Sequence, residues 1–221
     1  MAEQTVVETP AATAANGPAA LRHSPAEHLA DAFRAASTTG ERGVSLREIP
    51  FATMVGVRVD PASPAGARLA QALGTALPAR CGDVSADGAS TVFWLGPTEF
   101  LVLTAEAAAD VVVRLGAALD GAPGAVVDLS ANRTTLELAG PSAREVLEKG
   151  CALDLHPRAF RPGTAVATVL GPVPVLLWQL DDATYRIFPR ASFADYLSRW
   201  LLDAMKEYGS PFTDSAGVSW R

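Results

Sequence analysis

The sharpest hydrophobic patterning lies between Val126 and Pro157, which reads strand, turn, strand, helix, strand. Val126, Val127 and Leu129 begin an extended run, and Ser130 to Arg133 interrupt it with small and polar residues. From Thr134 the alternation resumes, with Leu136 and Leu138 on one face and Thr135 and Glu137 on the other. Gly140 and Pro141 then open a helix whose apolar stripe is Ala143, Val146 and Leu147, and Gly150 is expected to close it as a left-handed cap.

Upstream the same logic predicts a helix from Ser24 to about Ala36. Ser24, Pro25 and Glu27 have the spacing of a capping box, and Leu29, Ala32, Phe33 and Ala36 face inward. Val44 to Ile49 reads as an edge strand and Thr53 to Val59 as a firmer one, with Val55, Val57 and Val59 on one face. Pro64 starts a helix carrying Leu69, Ala72, Leu73, Ala76 and Leu77, which Pro78 stops. Thr91 to Leu95 and Phe100 to Thr104 flank the turn residues Gly96 to Glu99 as a hairpin, and a helix follows from about Ala105 to Leu119. The last helix is expected to be capped by Ser192, with Asp195 in its first turn and Leu197, Trp200, Leu201, Ala204 and Met205 on its apolar face.

The second part of the chain echoes the first. Pro61 before a helix answers to Pro141, Trp94 to Trp178, and the strand from Phe100 to the strand from Tyr185, at offsets of 80, 84 and 85 (141 − 61, 178 − 94, 185 − 100). A β-α-β-β-α pattern thus occurs twice, which predicts an α+β fold of two related halves, about 44–121 and 122–208, whose sheets share one core. Residues 1–20 read as a disordered arm without signal-peptide or anchor character, and 209–221 as a flexible tail in which Phe212 and Trp220 are the large aromatics.

Composition narrows the function by exclusion. A formal net charge of -6 with no basic stripe argues against nucleic acid or an anionic membrane as partner. Cys81 and Cys151 stand seventy residues apart, which fits a reducing, cytoplasmic setting rather than a disulfide framework. Dinucleotide, triphosphate and zinc signatures are missing from the sequence, so no catalytic, cofactor-binding or metal-binding residue is assigned. His23 and His28 read as solvated. Ser130, Asp154 and His156 could be drawn as a triad, but no nucleophile elbow supports one. Asp181 and Asp182 suit a hairpin turn. Asn132 and Arg133 read either as a turn amide with a surface guanidinium or as a contact to a partner's carboxylate, so they join Phe212 and Trp220 as interface candidates.

The segment DLSANRTTLELAGPSAREVLEKGCALDLHPRAF, with WLGPTEFLVL before it and Tyr185-Arg186-Ile187 and SFADYLSRWLLDAM after it, resembles the gamma subunit of heterotetrameric sarcosine oxidases. The resemblance runs from about Leu21 to Tyr208 and implies the fold of aminomethyltransferase and folate-binding domains. It implies a non-catalytic subunit partnered by alpha, beta and delta chains. That assembly converts sarcosine to glycine, passes the one-carbon unit to tetrahydrofolate and forms hydrogen peroxide. FAD, FMN, NAD, tetrahydrofolate and zinc would sit on the other subunits. Gln179 to Thr184 departs from the segment that folate-dependent relatives carry there, and Ala152 and Leu153 break the pattern that Lys149-Gly150-Cys151 begins. A folate-dependent one-carbon transferase and a free-standing small-acid-binding module are the competing readings.

Overall fold

A computed structural model describes residues 21–86 and 89–209; the arm, the tail residues 210–221 and their Phe212 and Trp220 lie outside the described residues. Among the described residues, ten strands form two five-stranded antiparallel sheets. In the first sheet the order is β1 (Ser45–Ile49), β7 (Thr135–Ala139), β10 (Thr184–Pro189), β9 (Val173–Gln179), β8 (Ala165–Leu170). In the second it is β6 (Ala125–Asp128), β2 (Thr53–Arg58), β5 (Glu99–Thr104), β4 (Ser90–Gly96), β3 (Val84–Ser85). Taken from either end, corresponding strands follow the same order, except that the leading strands are exchanged: β1 joins the sheet of the second half and β6 that of the first.

Each sheet has one face against helices and the other toward its sister. Phe33 of α1 (Ala30–Ala36), Val146 of α4 (Ala143–Glu148) and Leu201 of α5 (Ala194–Gly209) pack with Leu136, Leu138, Tyr185 and Ile187. Leu69 of α2 (Pro64–Leu73) and Leu115 of α3 (Ala108–Leu119) pack with Val55, Val57, Phe100 and Val102. Between the sheets, Met54, Phe93, Leu101, Leu176 and Phe188 form a third cluster built from strands alone. The Trp178 ring meets Phe93 nearly edge-on at 5.1 Å, a geometry that adds about 0.5–1.5 kcal/mol beyond burial. The layers therefore run helix, sheet, sheet, helix.

That layering corrects several readings. The face carrying Thr135 and Glu137, which alternation left without an assigned neighbour, is buried too, at 2% and 7% exposure, because β7 has a neighbour on both faces. Trp178 corresponds to Phe93 rather than Trp94: Phe93 pairs with Leu101 as Trp178 pairs with Arg186, whereas Trp94 packs toward the helices. The expected capping box does not form. Glu27 pairs with His23, and the Ser24 hydroxyl and Ala26 N–H instead donate to Glu48 of β1, a tertiary cap over a 3-10 turn at Glu27–Leu29.

Helix ends shift for identifiable reasons. Helix α2 stops at Leu73, not at Pro78, because Gly74 takes a left-handed conformation with φ 71°; Leu77 still packs against the core from the loop. Helix α3 begins three residues late, since the Thr104 hydroxyl accepts the Glu106 N–H and holds a bend. Ser192 lies within the 3-10 turn Ala191–Phe193 ahead of α5 instead of capping it. The strand expected after α4 is reduced to one bridge, Cys151 to Leu170, because Asp154 accepts the His156 N–H and His156 Nδ1 accepts the Arg158 N–H, which bends the chain. Gly150 does not take the left-handed conformation that Gly74 takes; a Cβ there would lie 2.6 Å from the Trp200 ring, so its smallness makes room for an aromatic of α5.

Candidate functional site

One row of residues crosses the whole of the first sheet: Arg47, Glu137, Arg186, Trp178 and Ala165, on β1, β7, β10, β9 and β8. Strand alternation brings them to a single face, the one turned toward the other sheet. Glu137 is the hinge of the row, its side chain 9% exposed. Arg47 donates to Oε1 from Nε at 2.8 Å and from Nη2 at 2.5 Å, and Arg186 donates from Nε to Oε2 at 3.1 Å. The Arg186 guanidinium also lies 5.5 Å from the Trp178 ring centre, within range of attraction to the aromatic face.

Arg186 and its neighbour Thr135 line a cleft of about 460 Å³ where the two sheets diverge, and Thr91 and Leu103 of the second sheet form its opposite wall. Phe51 and Thr53 contribute the rim leading out of β1. The Thr135 hydroxyl is buried and has no hydrogen-bond partner among the described residues. Cationic Arg186, the hydroxyl-bearing Thr53 and Thr91 and apolar Phe51 and Leu103 converge at this opening, while the Thr135 hydroxyl is closed off from it.

The residues singled out from sequence are dispersed. Arg133 is partly buried, and its Nη1 donates to the Phe188 carbonyl at 2.7 Å; burial first, then the neighbouring Arg190, pushes its pKa down. It forms a bridge to Arg190 and has no carboxylate partner among the described residues. Asn132 is exposed, its N–H donating to Leu129 and its carbonyl accepting from Ala191, both at 2.9 Å. These bonds give the Asn132-Arg133 turn the work of joining β7 to the approach of α5.

Ser130, Asp154 and His156 make no triad. The Ser130 hydroxyl donates to Asp128 at 2.6 Å, while Asp154 and His156 bond to backbone in their own turn. Asp181 accepts the Ala183 N–H at 2.9 Å, the turn geometry expected of it. His28 Nε2 meets Asp195 at 2.6 Å and His23 meets Glu27 at 2.9 Å, so both histidines are exposed but paired. Cys151 is half-buried and its thiol pKa is raised by that burial; Cys81 is exposed. Among the described residues no group of three or more His, Cys, Asp and Glu side chains is placed to hold a metal ion. No described helix is long and apolar enough to cross a membrane.

Sequence reasoning missed the Arg47–Glu137–Arg186 row. A signal was present in the repeat: the register places Glu137 opposite Arg186 as Gly56 stands opposite Leu101, so an acid and a base occur together where the first half has neither.

Residues 56–207 match the model of the "Sarcosine oxidase, gamma subunit family". The chain is 49% identical over 212 residues to sarcosine oxidase subunit gamma of Arthrobacter sp., covering 96% of this chain and 98% of that one. It is 48% identical over 211 residues to sarcosine oxidase subunit gamma of Corynebacterium sp. (strain P-1), covering 95% and 98%. Among solved structures it is similar to a chain of the heterotetrameric sarcosine oxidase from Corynebacterium sp. U-96, with a TM-score of 0.83, 48% identity and coverage of 86% and 98%. The glycine cleavage system aminomethyltransferase T from Bartonella henselae shares the fold alone, at a TM-score of 0.55, 17% identity and coverage of 80% and 56%. Agreement of sequence over nearly the full length of both chains, on the same fold, shows that this chain belongs to the sarcosine oxidase gamma subunit family.

Proposed function

We propose that this chain is the gamma subunit of a heterotetrameric sarcosine oxidase and serves it as a non-catalytic component in the cytoplasm. The observation that carries this reading is the end-to-end match to gamma subunits, one of them a chain of a heterotetrameric enzyme. The side chains that catalysis would recruit are engaged in turns, caps and ion pairs, which supports a role through shape and surface. In this reading alpha, beta and delta chains hold FAD, FMN, NAD, tetrahydrofolate and zinc. They oxidise sarcosine to glycine, passing the one-carbon unit to tetrahydrofolate and forming peroxide. Asn132, Arg133, Phe212 and Trp220 belong to the surface this chain offers them; the Arg133–Arg190 pair, lacking a carboxylate of its own, suits an acidic partner segment.

The experiment is to produce the four chains together and then omit this one. Loss of the intact assembly by native mass measurement, with loss of sarcosine-dependent peroxide formation, is the expected result. A three-chain enzyme that assembles and turns over unchanged, or oxidation of sarcosine by this chain alone, would overturn the proposal.

A further inference from the structure

We propose that the cleft between the two sheets is a binding site for a small carboxylate with a short apolar body, its acid group held by Arg186. The proposal goes beyond the subunit reading and does not rest on it. It starts from an asymmetry. Where the first sheet carries Arg47, Glu137, Arg186, Trp178 and Ala165, the same register in the second sheet gives Val127, Gly56, Leu101, Phe93 and Val84. An apolar row fills this face in one half, so the fold itself has no need of charge there.

The charged row is also unbalanced. Two guanidinium groups, of exposed Arg47 and partly exposed Arg186, share one buried carboxylate, which leaves a net positive charge at this site in a protein whose overall formal charge is -6. Glu137 takes only the Nε of Arg186, and the two Nη groups of that arginine have no partner among the described residues. Those two donors form one edge of the planar fork that matches a carboxylate, and Glu137 and Trp178 hold the fork in place before any ligand arrives. Thr53 and Thr91 add hydroxyl side chains to the cleft wall, while Leu103 and Phe51 supply the apolar surface against which a short hydrocarbon body would pack. A purely apolar ligand would leave the arginine edge unpaired, and a phosphate would gain little from Leu103 and Phe51.

The test uses the full-length chain labelled with nitrogen-15 and titrated with sodium benzoate, with benzamide as the neutral match in shape. Saturable shifts of the Trp178 indole and Thr135 amide signals are expected with benzoate at millimolar concentration, and at least tenfold weaker response with benzamide. Arg186→Lys, which keeps the charge and loses the fork, should weaken benzoate binding about tenfold, with the thermal transition retained. Equal responses to benzoate and benzamide, shifts that avoid Trp178 and Thr135, or unchanged affinity in a folded Arg186→Lys protein would overturn the assignment. Assembly with other subunits plays no part in this measurement, so its failure leaves the subunit reading standing.

Discussion

At the scale of single residues, Gly150 shows how a side chain can be selected by a neighbour rather than by its own backbone. A methyl group there would meet the Trp200 ring at 2.6 Å and 2.9 Å and the Gly171 backbone nitrogen at 3.2 Å. Gly150→Ala is therefore expected to destabilise the protein by about 1–3 kcal/mol through overpacking. At this chain length that lowers the midpoint of thermal unfolding by about 2–4 °C per kcal/mol. Replacing Trp200 with Leu in the Gly150→Ala background should cost less than the sum of the two single changes, because both act on one contact. Additive losses in thermal melts would show that the contact is not the cause. Sequence placed a glycine at the end of α4 and explained it by a left-handed cap, a local rule. The true reason lies fifty residues downstream and could not be read locally. Glu48 is similar: the Ser24 and Ala26 donors near the start of α1 are satisfied across a long loop, and Thr134 donates to the same carboxylate at 2.5 Å.

At the scale of elements, most strands and helices were legible because their faces alternate at the right period, as with Val55 and Val57 or Leu197 and Leu201. What alternation does not reveal is whether the second face meets water or another sheet. Thr135 and Glu137 look like solvent positions and are not. The two rows give a direct way to separate the role of charge from that of shape. Glu137→Leu should be destabilising, by about 1–3 kcal/mol, because partly exposed Arg186 loses the carboxylate partner of its Nε donor. Glu137→Leu combined with Arg186→Leu copies the apolar character of the second sheet and should recover more than half of that loss. Urea midpoints of the wild type, the single and the double variant decide the matter. A double variant no more stable than the single one would mean that the face tolerates no apolar row.

At the scale of the whole molecule, the exchange of β1 and β6 makes the two halves interdependent. A fragment ending at residue 121 carries β1 and α1 away from the sheet they complete, and the remaining fragment carries β6 away from β2. Neither fragment produced alone should give a cooperative thermal transition, whereas mixing the two should restore one, since both sheets and the Phe93–Trp178 contact then re-form. A fragment of residues 122–221 that melts cooperatively by itself would contradict this. The repeat offsets hinted at two related halves, but offsets between like elements carry no information about which sheet a leading strand enters.

The response to pH integrates groups spread over the same whole. On the acid side, the hydroxyl and N–H of Ser130 hold Asp128 below the usual carboxylate range, and Arg199 and then His28 do the same for Asp195. Arg114 acts likewise on Glu106, and Lys149 with Tyr208 on Glu207. Each is a carboxylate whose folded pKa lies below its unfolded value, so its contribution is present above about pH 4 and is lost as pH falls through the folded value. On the alkaline side the sign is reversed. Burial raises the Cys151 thiol and the Tyr185 phenol, and burial together with Glu207 and Glu145 raises Tyr208 further. Their unfolded forms ionise first, near about pH 8.5 for the thiol and about 10 for the phenols, so stability is full below those values and declines as pH climbs toward the folded ones. Urea midpoints should form a plateau between about pH 5 and 8 and fall on both sides. Ser130→Ala should soften the acid limb and leave the alkaline limb in place, and Tyr185→Phe should do the opposite. If both variants shift the curve equally at every pH, the groups contribute through packing alone and the assignment of the two limbs fails.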